Sequence, residues 1–329
     1  MTGSPAPSIP CLIERIAAGD ADALDGRGVN TSHRIVAGEQ RLSVKVHCAE
    51  RSSGPQLQRI RSVDAELRGT AWYPPVIDIG FDGGKRPRLV VVRPFVPGEP
   101  ADDARRHIDP LFSVLADLAG GTDRTEIDQA LIADYASQWL TPGERELTVE
   151  ALAGDRRGLV RAMDDHLDDL RASALRLTRP GEAMIYHGDL HGRNLLTDGS
   201  GSPTVIDWDE TGYSQRPADA GKALWLSCRR GRGDFELDPS AARRFVEQLW
   251  TRLGIPLAQA GDVANLGAIW FLPRSDHVAL LAQRDVELVP WYLDWVSRFW
   301  SRFEANVELL RRTAEELDAR GNAVEGERS

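Results

Sequence analysis

Two short apolar segments, 184–187 and 204–206, bracket the run His187-Gly188-Asp189-Leu190-His191-Gly192-Arg193-Asn194, and the second leads into Asp207-Trp208-Asp209. Apolar segments this short between turn residues read as strands. The polar run is therefore a loop held at both ends. An Asp and an Asn five residues apart on such a loop can face different groups, one an acceptor and one a metal ion. A second carboxylate, Asp207, leaves the following strand. Phosphoryl transfer asks for this set: a carboxylate to orient and deprotonate the attacking hydroxyl, and oxygen ligands for the magnesium that spreads phosphate charge. Asp189, Asn194 and Asp207 supply it.

The two halves of this constellation resemble the aminoglycoside phosphotransferase family, which carries H-G-D-(x)4-N, an apolar strand, and then I-D-(W/F)-(D/E) on a protein-kinase-like fold. The resemblance extends over about residues 20–300. It implies that Asp189 is the catalytic base and that Asn194 and Asp207 bind Mg2+, with Asp209 near a second metal ion. It further implies ATP or GTP as phosphate donor and a small hydroxylated molecule as acceptor. His187 is expected to brace the loop, and His191 to serve as scaffold or substrate neighbour. Asp219, in Arg216-Pro217-Ala218-Asp219-Ala220, matches a structural family aspartate expected to cap a helix. The stretch 188–192 also resembles the opening motif of binuclear metallophosphatases. That family needs a downstream Gly-Asn-His, and none of the seven histidines follows Gly-Asn, so its two-metal site cannot form.

Upstream, residues 9–18 read as an amphipathic helix, and 33–36 and 42–47 as a hairpin about Ala37-Gly38-Glu39-Gln40. Lysine is scarce, with Lys45, Lys85 and Lys222 against 37 arginines. Lys45 alternates with Val44 and Val46 within a strand after a glycine-bearing turn, which suits a lysine that reaches the α- and β-phosphates. The turn 26–32 is expected to cover those phosphates, with Gly28 admitting backbone N–H groups and Asn30 and Ser32 adding donors. A helix follows, with Ser53 at its cap and Pro55 in its first turn. Kinases pair the strand lysine with a carboxylate on this helix. Leu57, Ile60, Asp64 and Leu67 share one stripe, whereas Glu66 points to nearly the opposite side at ~100° per residue. Asp64 is therefore the expected partner of Lys45, although the family normally uses Glu.

Residues 76–81 and 88–92 are further strand candidates. Residues 90–98 read as the last strand and a hinge, where resemblance places the purine against the Pro94 carbonyl and the Val96 N–H. Arg93 lies near the position that limits purine access, or points to solvent and an acidic neighbour. Beyond residue 100 helical periodicity takes over, at 104–119, 127–139, 157–177 and from 217 onward, with a frayed tail after 320. Trp291, Trp295, Phe299 and Trp300 form an aromatic stripe expected to be core, with an acceptor pocket as the alternative. Asp276, Asp285, Glu287 and Asp294 are either ligands for substrate ammonium groups or a solvated face.

The fold class expected is α+β, a bilobal protein-kinase-like fold. Residues 1–98 would form a β-rich nucleotide-binding lobe and 99–329 a helical lobe with the catalytic loop and acceptor site. Net charge is −10, which argues against a nucleic-acid partner. It is unevenly placed, with 13 basic and 10 acidic residues before position 99 and 27 and 40 from position 99 onward. No apolar run approaches the ~20 residues of a membrane span. Three scattered cysteines and the absence of a secretion signal fit a cytoplasmic protein with reduced thiols. The substrate class expected is an antibiotic, with a metabolite such as a sugar, choline or homoserine as alternative. A nucleotide-binding protein without turnover has no need of Asp189. Oligomeric state leaves no signal in the sequence.

Overall fold

The computed structural model describes residues 7–24, 29–101, 104–120, 122, 157–197, 202–273 and 275–326. Gly28, much of the turn around it, the helix expected at 127–139 and Trp139 lie outside the described residues. The chain forms two compact units, one of Met1–Glu99 with Leu196–Thr211 and one of Pro100–Leu195 with Gly212–Ser329. The first therefore takes in a second chain segment as well as the continuous stretch expected.

In the first unit, β1 (Asp22–Leu24), β2 (Thr31–Ala37), β3 (Gln40–Val46), β4 (Asp78–Phe81) and β5 (Leu89–Pro94) form an antiparallel sheet in the order β1-β2-β3-β5-β4. Side chains alternate across a strand, and both faces of this sheet are apolar. Leu42, Val44, Val46, Val90 and Val92 join Ile9 and Leu12 of α1 (Ile9–Ala17) in one cluster. Leu89 and Val91 join Leu57 and Ile60 of α2 (Gly54–Leu67) in another. As expected, Ser53 caps α2, accepting from the Gln56 N–H. The returning segment is tied in by aromatic packing: Trp208 stacks on Trp72 at 5.8 Å between centroids and meets Tyr73 edge-on at 5.0 Å. The Val205 N–H donates to the Trp72 carbonyl at 2.9 Å. Short strands β6 (Glu99–Pro100), β8 (Leu195–Thr197) and β9 (Pro203–Val205) pair in the order β6-β8-β9 where the chain passes between units.

The second unit is mainly helical: α3 (Ala104–Leu118), α4 (Arg157–Arg176), α5 (Ala218–Ser227), α6 (Pro239–Leu253), α7 (Ala260–Ala268), α8 (Ser275–Arg284) and α9 (Leu288–Gly326). The last is a continuous 39-residue helix where a frayed end was expected. Strands β7 (Met184–Tyr186) and β10 (Gly212–Ser214) pair antiparallel, as do β11 (Arg229–Gly231) and β12 (Asp234–Leu237). The core is aromatic: Phe271 and Phe299 stack at 3.8 Å, with Phe235 and Trp225 edge-on to Phe299. Phe299 and Trp300 are thus core, whereas Trp291 is exposed. Asp276, Asp285, Glu287 and Asp294 are exposed as well. Helices α5 and α7 cross at Gly221 and Gly267 so closely that a Cβ on Gly221 would lie 2.4 Å from the Gly267 nitrogen. Among the described residues no helix is long and apolar enough to cross a membrane.

Candidate active site

In the second unit the loop between β7 and β8 carries Asp189. Gly188 begins the turn at φ +89°, a left-handed conformation that favours glycine. Three supports fix the loop. The buried His187 ring accepts the Asp189 N–H on Nδ1 at 3.1 Å. The Asp219 carboxylate, in the first turn of α5, accepts the His187 N–H at 2.6 Å and the Gly188 N–H at 2.8 Å. Asp219 therefore holds the backbone of the Asp189 loop rather than capping its own helix. Burial pushes its carboxyl above the ordinary range, against the pull of His187 and the two N–H groups. The third support is Gly192, packed so that a Cβ would meet the Ala101 carbonyl at 2.3 Å.

The two oxygens of Asp189 have separate partners. Oδ1 is 2.7 Å from Lys222 Nζ. Oδ2 accepts from Asn194 Nδ2 at 3.1 Å and lies 3.6 Å from His191 Nε2. Asn194 Nδ2 also donates to the Asp189 carbonyl at 2.8 Å, so its amide oxygen faces away from Asp189. His191 Nδ1 accepts from the Arg193 N–H, which puts the ring proton on Nε2, toward the carboxylate. Burial pushes the Asp189 carboxyl up, but Lys222 and His191 outweigh it and hold the group well below the usual carboxylate range. Its side chain remains 34% exposed, so an ionised, oriented carboxylate is presented at the surface of the loop.

In the first unit Lys45 points to the sheet face opposite Val44 and Val46, with Ser32 its register partner on β2. Its ammonium lies 2.5 Å from both Asp207 Oδ1 and Asp209 Oδ2. Burial pulls the Lys45 pKa down, and the two carboxylates outweigh this and raise it. Asp207 adopts φ +69°, the one described non-glycine residue at positive φ. Left-handed backbone costs a residue with a Cβ roughly 1–2 kcal/mol, and such strain clusters at functional sites. Asp209 is held further by Asn30 Nδ2 at 3.1 Å, while Asn30 Oδ1 accepts the Cys48 N–H. Buried His47 places Nε2 3.6 Å from Asp209 Oδ1, and Gln56 Nε2 lies 3.3 Å from its Nδ1. Burial pushes Asp209 up, but Lys45 and His47 bring it below its ordinary value.

The expected pairing of Lys45 with Asp64 is not made. Asp64 accepts from the Val76 N–H at 2.7 Å, from Tyr73 at 3.2 Å and from Arg68 at 2.5 Å. The segment 73–76 lies against this part of α2 and takes its carboxylate, and Asp209 takes its place beside Lys45. Arg93 does not turn to solvent and an acidic neighbour: it donates to the Pro74 carbonyl and lies over the Tyr73 ring. Pro94 ends β5 opposite Leu42, and Val96 follows two residues on, both half-buried. Lys222 and His47 were not singled out from the sequence. The rarity of lysine was the one signal pointing at Lys222.

The chain belongs to the APH phosphotransferase enzyme family, whose model matches residues 24–255, more than half its length. A search of curated protein sequences gives no match. Among solved structures, aminoglycoside phosphotransferase APH(4)-Ia in a ternary complex with ADP and hygromycin B superposes with a TM-score of 0.60 at 17% identity, covering 91% of this chain and 97% of that one. An aminoglycoside phosphotransferase from Alicyclobacillus acidocaldarius gives 0.56 at 16% identity, covering 96% and 99%. A microcompartment-associated aminopropanol kinase gives 0.55 at 18% identity, covering 91% and 99%. At these identities the likeness is one of fold. The fold is α+β, of the kinase-like kind.

Proposed function

We propose that this protein transfers the γ-phosphate of ATP or GTP to a hydroxyl of a small molecule, in the first instance an antibiotic. The observation that carries the reading is Asp189, an ionised carboxylate with both oxygens and its backbone N–H held. Asp189 orients the acceptor hydroxyl and takes its proton while the hydroxyl oxygen bonds to the γ-phosphorus and the bond to the bridging oxygen breaks. Lys45, with Ser32 beside it on β2 and Asn30 just before that strand, meets the α- and β-phosphates, and Pro94 and Val96 meet the purine. Asn194 and Asp207 are the residues to hold magnesium, which takes oxygen ligands. Each by itself offers the oxygen that magnesium takes: the Asn194 amide turns its oxygen away from Asp189, and Asp207 carries a carboxylate. Magnesium held by these residues would supply neutralisation of the phosphate charge.

The hygromycin B complex of a similar fold supports an antibiotic acceptor. The aminopropanol kinase supports the second reading, a metabolite kinase with an amino-alcohol substrate. The test is mass spectrometry after incubation with magnesium, ATP or GTP, and a panel including hygromycin B and aminopropanol. Addition of one phosphate to an antibiotic, lost in Asp189→Asn with nucleotide binding intact, is the expected outcome. Phosphate on aminopropanol alone supports the second reading. No transfer to any compound, with no nucleotide bound, refutes both.

A further inference from the structure

Lys222 lies on α5, outside both sequence motifs, and among the described residues its ammonium meets Asp189, Gly188 and Trp270. It is 2.7 Å from Asp189 Oδ1 and donates to the Gly188 carbonyl at 3.0 Å. It also sits 4.1 Å from the centre of the Trp270 ring, a cation–π contact. Its side chain is only 13% exposed. The helix that carries it is set in place on either side. Asp219, one turn earlier, holds the loop's N–H groups, and Gly221, the preceding residue, packs against Gly267 of α7. The ammonium therefore has a fixed origin and a fixed target.

Because Oδ1 of Asp189 is bound to Lys222 and Oδ2 to Asn194, rotation of the carboxylate is blocked from both sides. The direction in which its lone pairs meet an acceptor hydroxyl is thereby set. A neighbouring cation weakens a carboxylate as a base, and this bears on which role Lys222 serves. Phosphoryl transfer proceeds through a loose transition state in which positioning and charge stabilisation outweigh covalent help from the protein. For such a reaction, aiming the carboxylate is worth more than raising its basicity. An arginine would carry the charge as a wider planar fork, poorly matched to neighbours at these distances.

We infer that Lys222, backed by Trp270, is a positioning residue for the catalytic carboxylate, an assignment that rests on the phosphotransferase reading of Asp189. In the step, the hydroxyl proton passes to Asp189, the oxygen–phosphorus bond forms and the bridging bond breaks, and Lys222 keeps its proton throughout.

The test measures steady-state turnover of magnesium ATP and magnesium GTP, with water as acceptor and with the compounds of the panel, for wild type, Lys222→Met, Lys222→Arg and Trp270→Leu. Melting temperatures are recorded alongside. Lys222→Met is expected to lower kcat by about 100-fold, the scale of a misplaced reacting group, with nucleotide KM little changed. Lys222→Arg should recover part of the loss, and Trp270→Leu should show a smaller fall in kcat. A Lys222→Met protein that melts earlier but keeps wild-type kcat overturns the inference and leaves a structural ion pair. Should that variant not fold, unchanged kcat in both Lys222→Arg and Trp270→Leu overturns it equally. Wild-type protein that turns over neither nucleotide, with water or any compound, overturns the phosphotransferase reading and this inference together. Turnover equal in wild type and folded Lys222→Met removes only the role of Lys222.

Discussion

Asp64 and Asp209 are both nearly buried carboxylates of the first unit, with side chains 10% and 13% exposed, and they hold different things. Asp64 ties the end of α2 to the 73–76 segment; burial, with Asp64 close by, pushes the Tyr73 hydroxyl up to about 12. Asp209 holds Lys45. Asp64→Asn should therefore cost about 1–3 kcal/mol through weakened bonds to a buried acceptor, seen as a lower melting temperature with nucleotide KM unchanged. Asp209→Asn should raise nucleotide KM by about tenfold, roughly 1.4 kcal/mol, with a smaller effect on melting. Helix geometry was sufficient to put Asp64 on the buried stripe and Glu66 in solvent, and both are found there. It carries no information on which of two buried neighbours a carboxylate meets, because the 73–76 segment is distant in the helical pattern. His47 gives a pH dependence. Burial holds its pKa below the ordinary 6.5, with Asp209 opposing. The unfolded chain thus binds the proton more readily, and stability falls as pH drops below about 6.5 toward the lowered value. Melting curves between pH 7.5 and 5 should show this, and His47→Gln should flatten the slope.

Among the elements, α5 supports the Asp189 loop through Asp219 and Lys222. Its seat on α7 depends on two glycines whose backbones touch. Gly221→Ala has nowhere to put its methyl, because the nearest atoms are backbone at 2.4–2.7 Å. We expect a loss of about 1–3 kcal/mol or more from overpacking, measurable in chemical denaturation, and a fall in turnover as the helix shifts. The loop that carries Asp189 and Asn194 was legible in the sequence because short apolar segments bracket a polar, glycine-bearing run. Its support was not, because Lys222 lies 34 residues beyond Gly188 and no periodicity links the two. The strands β10, β11 and β12 were missed for a different reason. They run only 3–4 residues, and Arg229-Arg230-Gly231 has no apolar alternation to mark a strand.

At the scale of the whole molecule, the segment Leu196–Thr211 belongs with Met1–Glu99. Trp208 fills the space beside Trp72 and Tyr73, and Asp207 and Asp209 neutralise Lys45. A fragment ending at residue 99 would leave those aromatic rings exposed and a buried ammonium without a counter-charge, which is costly. Such a fragment should show no cooperative thermal transition by circular dichroism, and adding a peptide of residues 196–211 should restore one. The same arrangement has a consequence on the ribosome. The first unit is synthesised early, yet the stretch that completes it emerges roughly a hundred residues later. At ~5–20 residues per second, the nascent sheet waits about 5–20 s with its aromatic surface uncovered. The newborn chain is then a client for holding chaperones, and the speed of translation across residues 100–195 becomes a determinant of its yield.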